Sequence, residues 1–256
     1  MIANSTAPLP NICESCPVRP HSIYAPMSSE EATALNSLRR RSLTLEARRM
    51  IHREGETPVE VFTLLEGWAF RFKLMADGRR QILSFLLPGD FLSLHALQSR
   101  PLHFSVQALT TVRLCVFETR TLSEFLRGRP HLAWNVGTIL ARKSARLDYR
   151  ITDLGRRDAL ERIARFLLEI GDRLKRRGLA TDETFAFPLR QEHIADALGL
   201  TTVHVSRTIA MLRGEGLVTL GHGLLTIHDR NRLTEIAGRG AHSATDDTDG
   251  VSPDHG

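Results

Sequence analysis

Two sets of side chains in this sequence have the types and spacing for chemistry. The first is the row Thr202, Val203, His204, Ser206 and Arg207, with Gln191 upstream, inside LRQEHIADALGLTTVHVSRTIAMLR, residues 189–213. An arginine fork matches the two acceptors on the major-groove edge of guanine, while hydroxyls, amides and imidazoles pair with base edges and phosphates. Such a row reads a duplex when it sits at the outward N-terminal end of a helix. The second set is thiols. Cys13-Glu14-Ser15-Cys16 has the gap that lets two thiolates reach one metal or cluster, and Cys115 follows far downstream in ALTTVRLCVF. Taken alone, Cys13 and Cys16 fit incidental thiols equally well, and a single strand cysteine is most often a small buried hydrophobe. His95 and His103 read as surface or hydrogen-bonded residues, since a metal-binding barrel needs a clustered His/Glu set.

The elements that must present these residues follow from periodicity. Ile194, Ala195, Leu198, Val205, Ile209 and Leu212 recur at helical spacing on either side of Gly199, which predicts two short helices joined by a tight turn. The first runs from about Gln191 to Ala197, Gly199 takes the backbone conformation a side chain resists, and Thr201 or Thr202 caps the second. Val205, Ile209 and Leu212 then point inward and leave the polar row outward. Leu217–Leu220, the turn Gly221-His222-Gly223, and Leu224–Ile227 read as a hairpin packed beside the pair.

Upstream, the first 28 residues hold prolines at 8, 10, 17, 20 and 26 and read as an extended arm. Ser28-Ser29-Glu30-Glu31 caps a short helix. From about Ser42 to Glu118 the period is two, with Val59, Val61, Thr63 and Leu65, then Ala69, Arg71 and Lys73. Turns at Gly67, Gly78 and Gly89 close these strands into a β-roll or jelly-roll sandwich. Arg129-Pro130 opens a long helix to about Asp153, on which Leu132, Val136, Ile139, Lys143, Leu147, Arg150 and Leu154 approximate a heptad seam. With few intramolecular partners in view, that seam predicts self-association. Gly155 marks a break, and Asp158 begins another amphipathic helix.

The predicted class is α+β: an extended arm (1–28), a β-roll sensor domain (29–128), a dimerisation helix (129–154), a winged helix-turn-helix (155–237) and a disordered tail (238–256).

LRQEHIADALGLTTVHVSRTIAMLRGEGLV with the GHGLLTI hairpin resembles the winged helix of the Crp/Fnr superfamily of bacterial transcription regulators. The resemblance extends from about Cys13 to Ala237. It implies a homodimer with two recognition helices on a palindromic operator in double-stranded DNA, contact with RNA polymerase, Arg207 on guanine and Ser206 supporting a neighbouring base or phosphate. Where the family commonly has glutamate, this chain has Val203, which accepts nothing from cytosine and suits a thymine methyl. DGRRQILSFLLPGDF resembles the family's cyclic-nucleotide sensor, yet Ser93-Leu94 replaces the expected glycine-glutamate and Leu102-His103 the expected arginine-serine. A leucine cannot neutralise a phosphate, so cyclic AMP is not the predicted effector. Oxygen-sensing members ligate a [4Fe-4S] cluster with three N-terminal cysteines and one near the position of Cys115. Cys13, Cys16 and Cys115 match three of those places. Ser22 stands at the remaining one and is a poorer ligand; Ser22, His21 or an external group would complete a cluster, and thiol-based sensing or no cluster is the alternative.

Composition sets the outer bounds. At 256 residues, 42% hydrophobic and 25% charged, the chain has room for two cores. A net charge of +5 favours a polyanionic partner, and the body is more basic than this because Asp246, Asp247, Asp249 and Asp254 crowd the end. No apolar run approaches the roughly 20 residues that span a bilayer, nor is there a secretory leader, which predicts a cytoplasmic protein without a membrane role. Glycine-rich nucleotide loops, phosphate-binding GK[ST], HExxH and a nucleophile elbow are absent, which argues against an enzyme. A β-roll adaptor whose helical domain binds protein is the rival reading.

Overall fold

The computed structural model describes residues 13–238, so residues 1–12 of the predicted arm and 239–256 of the predicted tail lie outside the described residues. The chain divides into two compact units, Met1–Ile151 and Thr152–Gly256. Each is built around its own buried side chains.

The first unit is a two-sheet roll. Helix α1 (Ser29–Leu38) starts at Ser28, whose Oγ accepts from the Glu31 amide at 3.2 Å while Glu31 accepts from the Ser28 amide at 3.0 Å. Strands β1 (Arg39–Leu45), β2 (Met50–His52), β3 (Glu60–Glu66), β4 (Ala69–Leu74), β5 (Arg80–Leu86), β6 (Ser105–Ala108) and β7 (Val112–Glu118) follow. They form antiparallel sheets of order β1-β7-β3 and β2-β6-β4-β5. Gly67 is required in the β3–β4 turn: its φ is +80° and a Cβ there would lie 2.1 Å from the Thr111 carbonyl oxygen.

Alternation fails in β3, where Val61, Phe62, Thr63 and Leu64 are all buried and Val59, before the strand, is exposed. The reason is the N-terminal segment. Residues 13–27, predicted as an extended arm, instead form two 3₁₀ turns, Cys13–Ser15 and Arg19–His21, with Cys13, Ile23, Tyr24 and Met27 in the roll's core. This layer covers the outer face of the three-stranded sheet, so both of its faces are dry.

Helix α2 (Thr119–Arg127) leads to the long α3 (Pro130–Arg156). The predicted seam is corrected here. Leu132 is fully buried in the roll's own core, and Val136 and Ile139 pack against it, so these three face inward. The outward apolar stripe lies one position over: Ala133, Gly137, Leu140, Ser144, Leu147, Ile151 and Leu154, all exposed, at alternating steps of four and three. Leu147 and Leu154, named in the predicted seam, are among these exposed residues. Gly155, read as a break, is inside α3. The helix ends one residue later, at Arg156, because Asp158 nucleates the next one and because Arg162 collects the freed carbonyls, donating to Arg157 O at 2.8 Å and Leu154 O at 3.1 Å.

The second unit contains α4 (Ala159–Lys175), β8 (Ala180–Thr181), β9 (Thr184–Ala186), α5 (Gln191–Leu198), α6 (Thr202–Gly214), β10 (Val218–Gly221), β11 (Leu224–Ile227) and α7 (Arg230–Ile236). Asp158 and Glu161 cap α4 reciprocally, each bond 2.9 Å. The hairpin β10–β11 turns on His222 and Gly223, both at positive φ, and extends into a four-stranded sheet of order β10-β11-β9-β8.

Candidate functional site

The helix pair forms as the spacing requires. Gly199 ends α5 in the left-handed region at φ +63°, and a Cβ there would sit 3.3 Å from Leu154 Cδ2 at the end of α3. Thr201 caps α6 by accepting from the His204 amide at 3.2 Å. Val205, Thr208, Ile209 and Leu212 are buried, which fixes the rotation of α6 and turns Thr202, Val203, His204, Ser206 and Arg207 outward. Gln191 is exposed at the first position of α5.

Arg207 differs from most cations around it. Arg157, Arg162, Arg165, Lys175 and Arg230 are each held by carboxylates or carbonyls. Among the described residues Arg207 and Arg213 have no such partner. An exposed guanidinium that folding leaves unpaired keeps its donor fork for a ligand. Val203 is 55% exposed beside it, an apolar group with nothing to pack on. The row therefore offers one bidentate donor, small polar groups and one methyl-bearing patch, which is the chemistry that reads the major groove.

The sensor side shows what the roll does with the positions expected to hold a nucleotide phosphate. Ser93 and Leu102 are buried, and Leu94 and Leu102 belong to the hydrophobic core. Neither pair itself supplies an arginine, although the Arg71 guanidinium lies 4.9 Å from the centroid of the neighbouring Phe104 ring. His103 is exposed, its ring edge-on to His95 with centroids 4.7 Å apart. Burial, and then the neighbouring charges of His103, Arg71 and Lys143, hold the His95 pKa below its ordinary value.

The three cysteines, distant in sequence, are brought into one neighbourhood. Cys13 is buried in the first 3₁₀ turn with Sγ 3.9 Å from Asn36 Oδ1, and Cys16 is half-buried just beyond. Cys115 lies on β7 directly between Ser42 of β1 and Thr63 of β3, its cross-strand partners, so the three share the sheet face that the N-terminal turns cover. Tyr24 packs on the same face, its ring 5.9 Å from that of Phe117 two residues along β7. Burial pushes the Cys115 thiol up to about 12, reinforced by Cys13 and Cys16 and opposed by Arg39. The Cys13 thiol is raised for the same first reason. These are features of protonated, unreactive thiols rather than of an exposed thiolate sensor.

The buried hydroxyls of Tyr24 and Thr63 interact with each other, and Ser42 Oγ is buried with no hydrogen-bond partner among the described residues. Such an orphan costs about 1–3 kcal/mol. Ser22, by contrast, is satisfied: its Oγ donates to Arg19 O at 2.8 Å and accepts from the Tyr24 amide at 3.1 Å. The His21 backbone packs on Gly89, 3.0 Å from where a Cβ would be. No three His, Cys, Asp or Glu among the described residues can chelate a single metal ion. An iron-sulfur cluster is less demanding in this respect, since each thiolate takes a different iron, and its sulfides accept hydrogen bonds. Ser22, with its hydroxyl held in its own turn, does not act as a fourth thiolate would.

Sequence reasoning placed the thiols together only through the family likeness. It missed Tyr24, Ser42, Thr63 and Asn135, whose Nδ2 donates to Ile23 O at 3.0 Å and fastens the N-terminal layer to α3. Burial of both faces of β3 removes the alternation that would have aimed Thr63, and nothing local marked the others.

Comparison with known proteins gives a consistent picture. Residues 161–236 match the model of the Crp-like helix-turn-helix domain, and residues 42–129 that of the cyclic nucleotide-binding domain. The nitrogen fixation regulation protein FixK of Bradyrhizobium diazoefficiens is 32% identical over 89% of this chain and 94% of its own length. The transcriptional activator protein FnrL of Cereibacter sphaeroides is 32% identical over 94% and 95%. The structure of FixK2 from Bradyrhizobium japonicum superimposes with a TM-score of 0.68 at 29% identity, covering 76% of this chain and 96% of that one.

Proposed function

The chain belongs to the Crp/Fnr superfamily of transcription regulators, on its Fnr-like branch, and from that membership we propose that it binds palindromic operators as a homodimer through α6. It is a regulator with a DNA-binding helix-turn-helix and a sensor domain. The observation that carries the finer reading is the unpaired Arg207 fork on a Thr201-capped helix whose inner face is locked by Val205, Ile209 and Leu212.

The exposed stripe of α3 joins two copies through Leu140, Leu147, Ile151 and Leu154. A two-fold axis along that seam sets two α6 helices one turn of duplex apart, about 34 Å, which makes the operator a palindrome. Within each half-site Arg207 takes a guanine, Ser206 and Gln191 position the helix on neighbouring groups, and Val203 packs on a thymine methyl. Thr202 and His204 complete the row, and Arg213 adds a phosphate contact. This charge-driven part of the affinity falls as salt rises. RNA polymerase is the further partner, and the site of action is the cytoplasm. Catalysis plays no part.

The effector is not cyclic AMP, because buried Leu94 and Leu102 stand where a phosphate needs donors. Redox state is the signal that the three neighbouring thiols suit. Cys13, Cys16 and Cys115 would hold an iron-sulfur cluster, which when bound supplies an oxygen-sensitive centre. The chain's own residues do the rest: Tyr24, Ser42 and Thr63 stand around the thiols, and Asn135 couples the layer that carries Cys13 and Cys16 to α3. For the signal to act, it must favour one dimer geometry over another.

Electrophoretic shift with a palindromic duplex, competed by random DNA, tests the proposal. Specific binding by the dimer is expected. A protein that ignores every palindromic site and captures only protein partners is the adaptor instead.

A further inference from the structure

The two edges of the exposed α3 stripe differ in chemistry. Beside Ala133, Gly137, Leu140, Ser144, Leu147 and Ile151, one edge carries Trp134, Ala141 and Asp148, each one heptad after the last. All three are exposed, Trp134 at 79%, and the edge runs from apolar to acidic. The other edge carries Val136, Lys143 and Arg150 at the same repeat, all half-buried, and runs from apolar to basic. Val136 packs there on the roll's core.

Two α3 helices can cover each other's stripe in two directions, and the edges distinguish them. Running the same way, each edge meets the opposite edge of the other copy, in the pattern by which flanking positions of a parallel coiled coil pair. Val136 then faces Ala141 of the second copy, and Lys143 faces Asp148 of the second copy. Running opposite ways, each edge meets itself, which sets the basic row Lys143 and Arg150 against its own duplicate. Apolar matches apolar and base matches acid only in the first arrangement.

We propose that Lys143 and Asp148 form reciprocal ion pairs between two copies of this chain, and that these pairs hold the copies parallel and in register. This rests on the homodimer proposed above and goes beyond it: the apolar stripe supplies attraction without direction, and its charged edges choose the direction. Both side chains also interact within their own chain, so pairing across the axis is an exchange and its effect on affinity is modest. Its effect on the choice of arrangement is larger, because the opposed helices lose both pairs and gain like-charge contacts.

The test uses the full chain with single charge reversals. Lys143→Glu and Asp148→Lys each place like charges together twice in their own homodimer, and each should weaken self-association at least about threefold, less so at high salt. Mixed with each other, the two variants match both contacts. The heterodimer should therefore exceed its statistical share in native mass spectrometry, and the doubly reversed chain should self-associate within about threefold of wild type. Thermal melts check folding. Orientation is read separately: under diamide Ile151→Cys should give a disulfide-linked dimer that wild type, with its own cysteines, does not. Statistical mixing of the two reversals, with each homodimer as tight as wild type, would overturn the pairing and leave the stripe standing. So would a doubly reversed chain weaker than either single variant. A dimeric Ile151→Cys protein that fails to link would overturn the parallel arrangement. A wild-type chain that stays monomeric would defeat the seam itself, and the pairing with it.

Discussion

Replacing Ile151 by aspartate should dissociate the dimer without unfolding the protomer. Ile151 is 68% exposed in the single chain and lies on the outward stripe of α3. Fully burying an isoleucine contributes about 1.5–3 kcal/mol, so covering this exposed fraction contributes about 1–2 kcal/mol per copy and about 2–4 kcal/mol per two-fold dimer. Aspartate removes that and also brings two carboxylates to one apolar seam, a desolvation and repulsion cost of several kcal/mol more. A loss of at least about 4 kcal/mol weakens association roughly 1,000-fold. Sedimentation velocity across a concentration series reads it directly, with thermal melts as the check on folding. Ala145→Asp, on an exposed face away from both stripes, should leave both measurements alone. Leu132→Asp should do the opposite of Ile151→Asp and destroy the fold, because Leu132 is fully buried in the roll. An Ile151→Asp protein that dimerises within threefold of wild type would refute the outward stripe as the seam.

Other expectations follow from the same geometry. Arg207→Ala should cost about 1–3 kcal/mol on the operator and relax selectivity at one base pair per half-site; an equal loss on every sequence would make Arg207 a phosphate contact. Titration with cyclic AMP should give neither micromolar binding nor a change in operator affinity, by calorimetry and gel shift. Gly199→Ala should destabilise the helix-turn-helix by about 1–2 kcal/mol in a thermal or urea melt, since φ is +63° there and Leu154 is already close. Acid should weaken the roll through His52, which is buried against Phe62, with Glu56 3.6 Å from Nδ1 and Glu60 the other acidic influence. Burial holds the folded-state pKa of His52 below its ordinary value. As pH falls through the unfolded value of about 6.5, the unfolded chain takes up a proton that the fold resists, and stability drops by up to about 1.4 kcal/mol per pH unit until the folded pKa is reached. His52→Gln should flatten that slope in urea melts between pH 5 and 7, and an unchanged slope would assign it elsewhere (the window follows from about those two pKa values).

Local chemistry explains why some elements were legible and others were not. Ser28 with Glu31, Gly199 with Thr201, and the His222-Gly223 turn act within a few residues of themselves, and each formed as its sequence implied. Errors arose where a distant surface decided the outcome. Leu132, Val136 and Ile139 are the most apolar run of α3, so a heptad count settles on them, but the roll claims that stripe and leaves the weaker one to solvent. Gly155 was taken to mark the break between domains, yet its backbone still belongs to the last turn of α3, whose freed carbonyls are collected by Arg162 from the next helix, a partner the local sequence does not disclose. The prolines of the arm forbid a long helix, as expected, but not the short turns that pack Cys13 and Tyr24. In the row on α6 the outward turn of the side chains was legible from their spacing, whereas the absence of a partner for Arg207 among the described residues needed coordinates.

The three nitrogens of Arg162 carry a consequence for how this protein can change. One guanidinium reaches Leu154 O, Arg157 O and, at 3.4 Å, Leu198 O, so it joins the last turn of α3 to the end of α5, next to Gly199. Lysine, with a single nitrogen on a flexible stem, cannot span three acceptors set at different angles. Drift at position 162 is therefore closed to the ordinary basic swap, and a rotation imposed on the tail of the long helix is passed to the end of α5 through this guanidinium as well as through the Leu154–Gly199 approach.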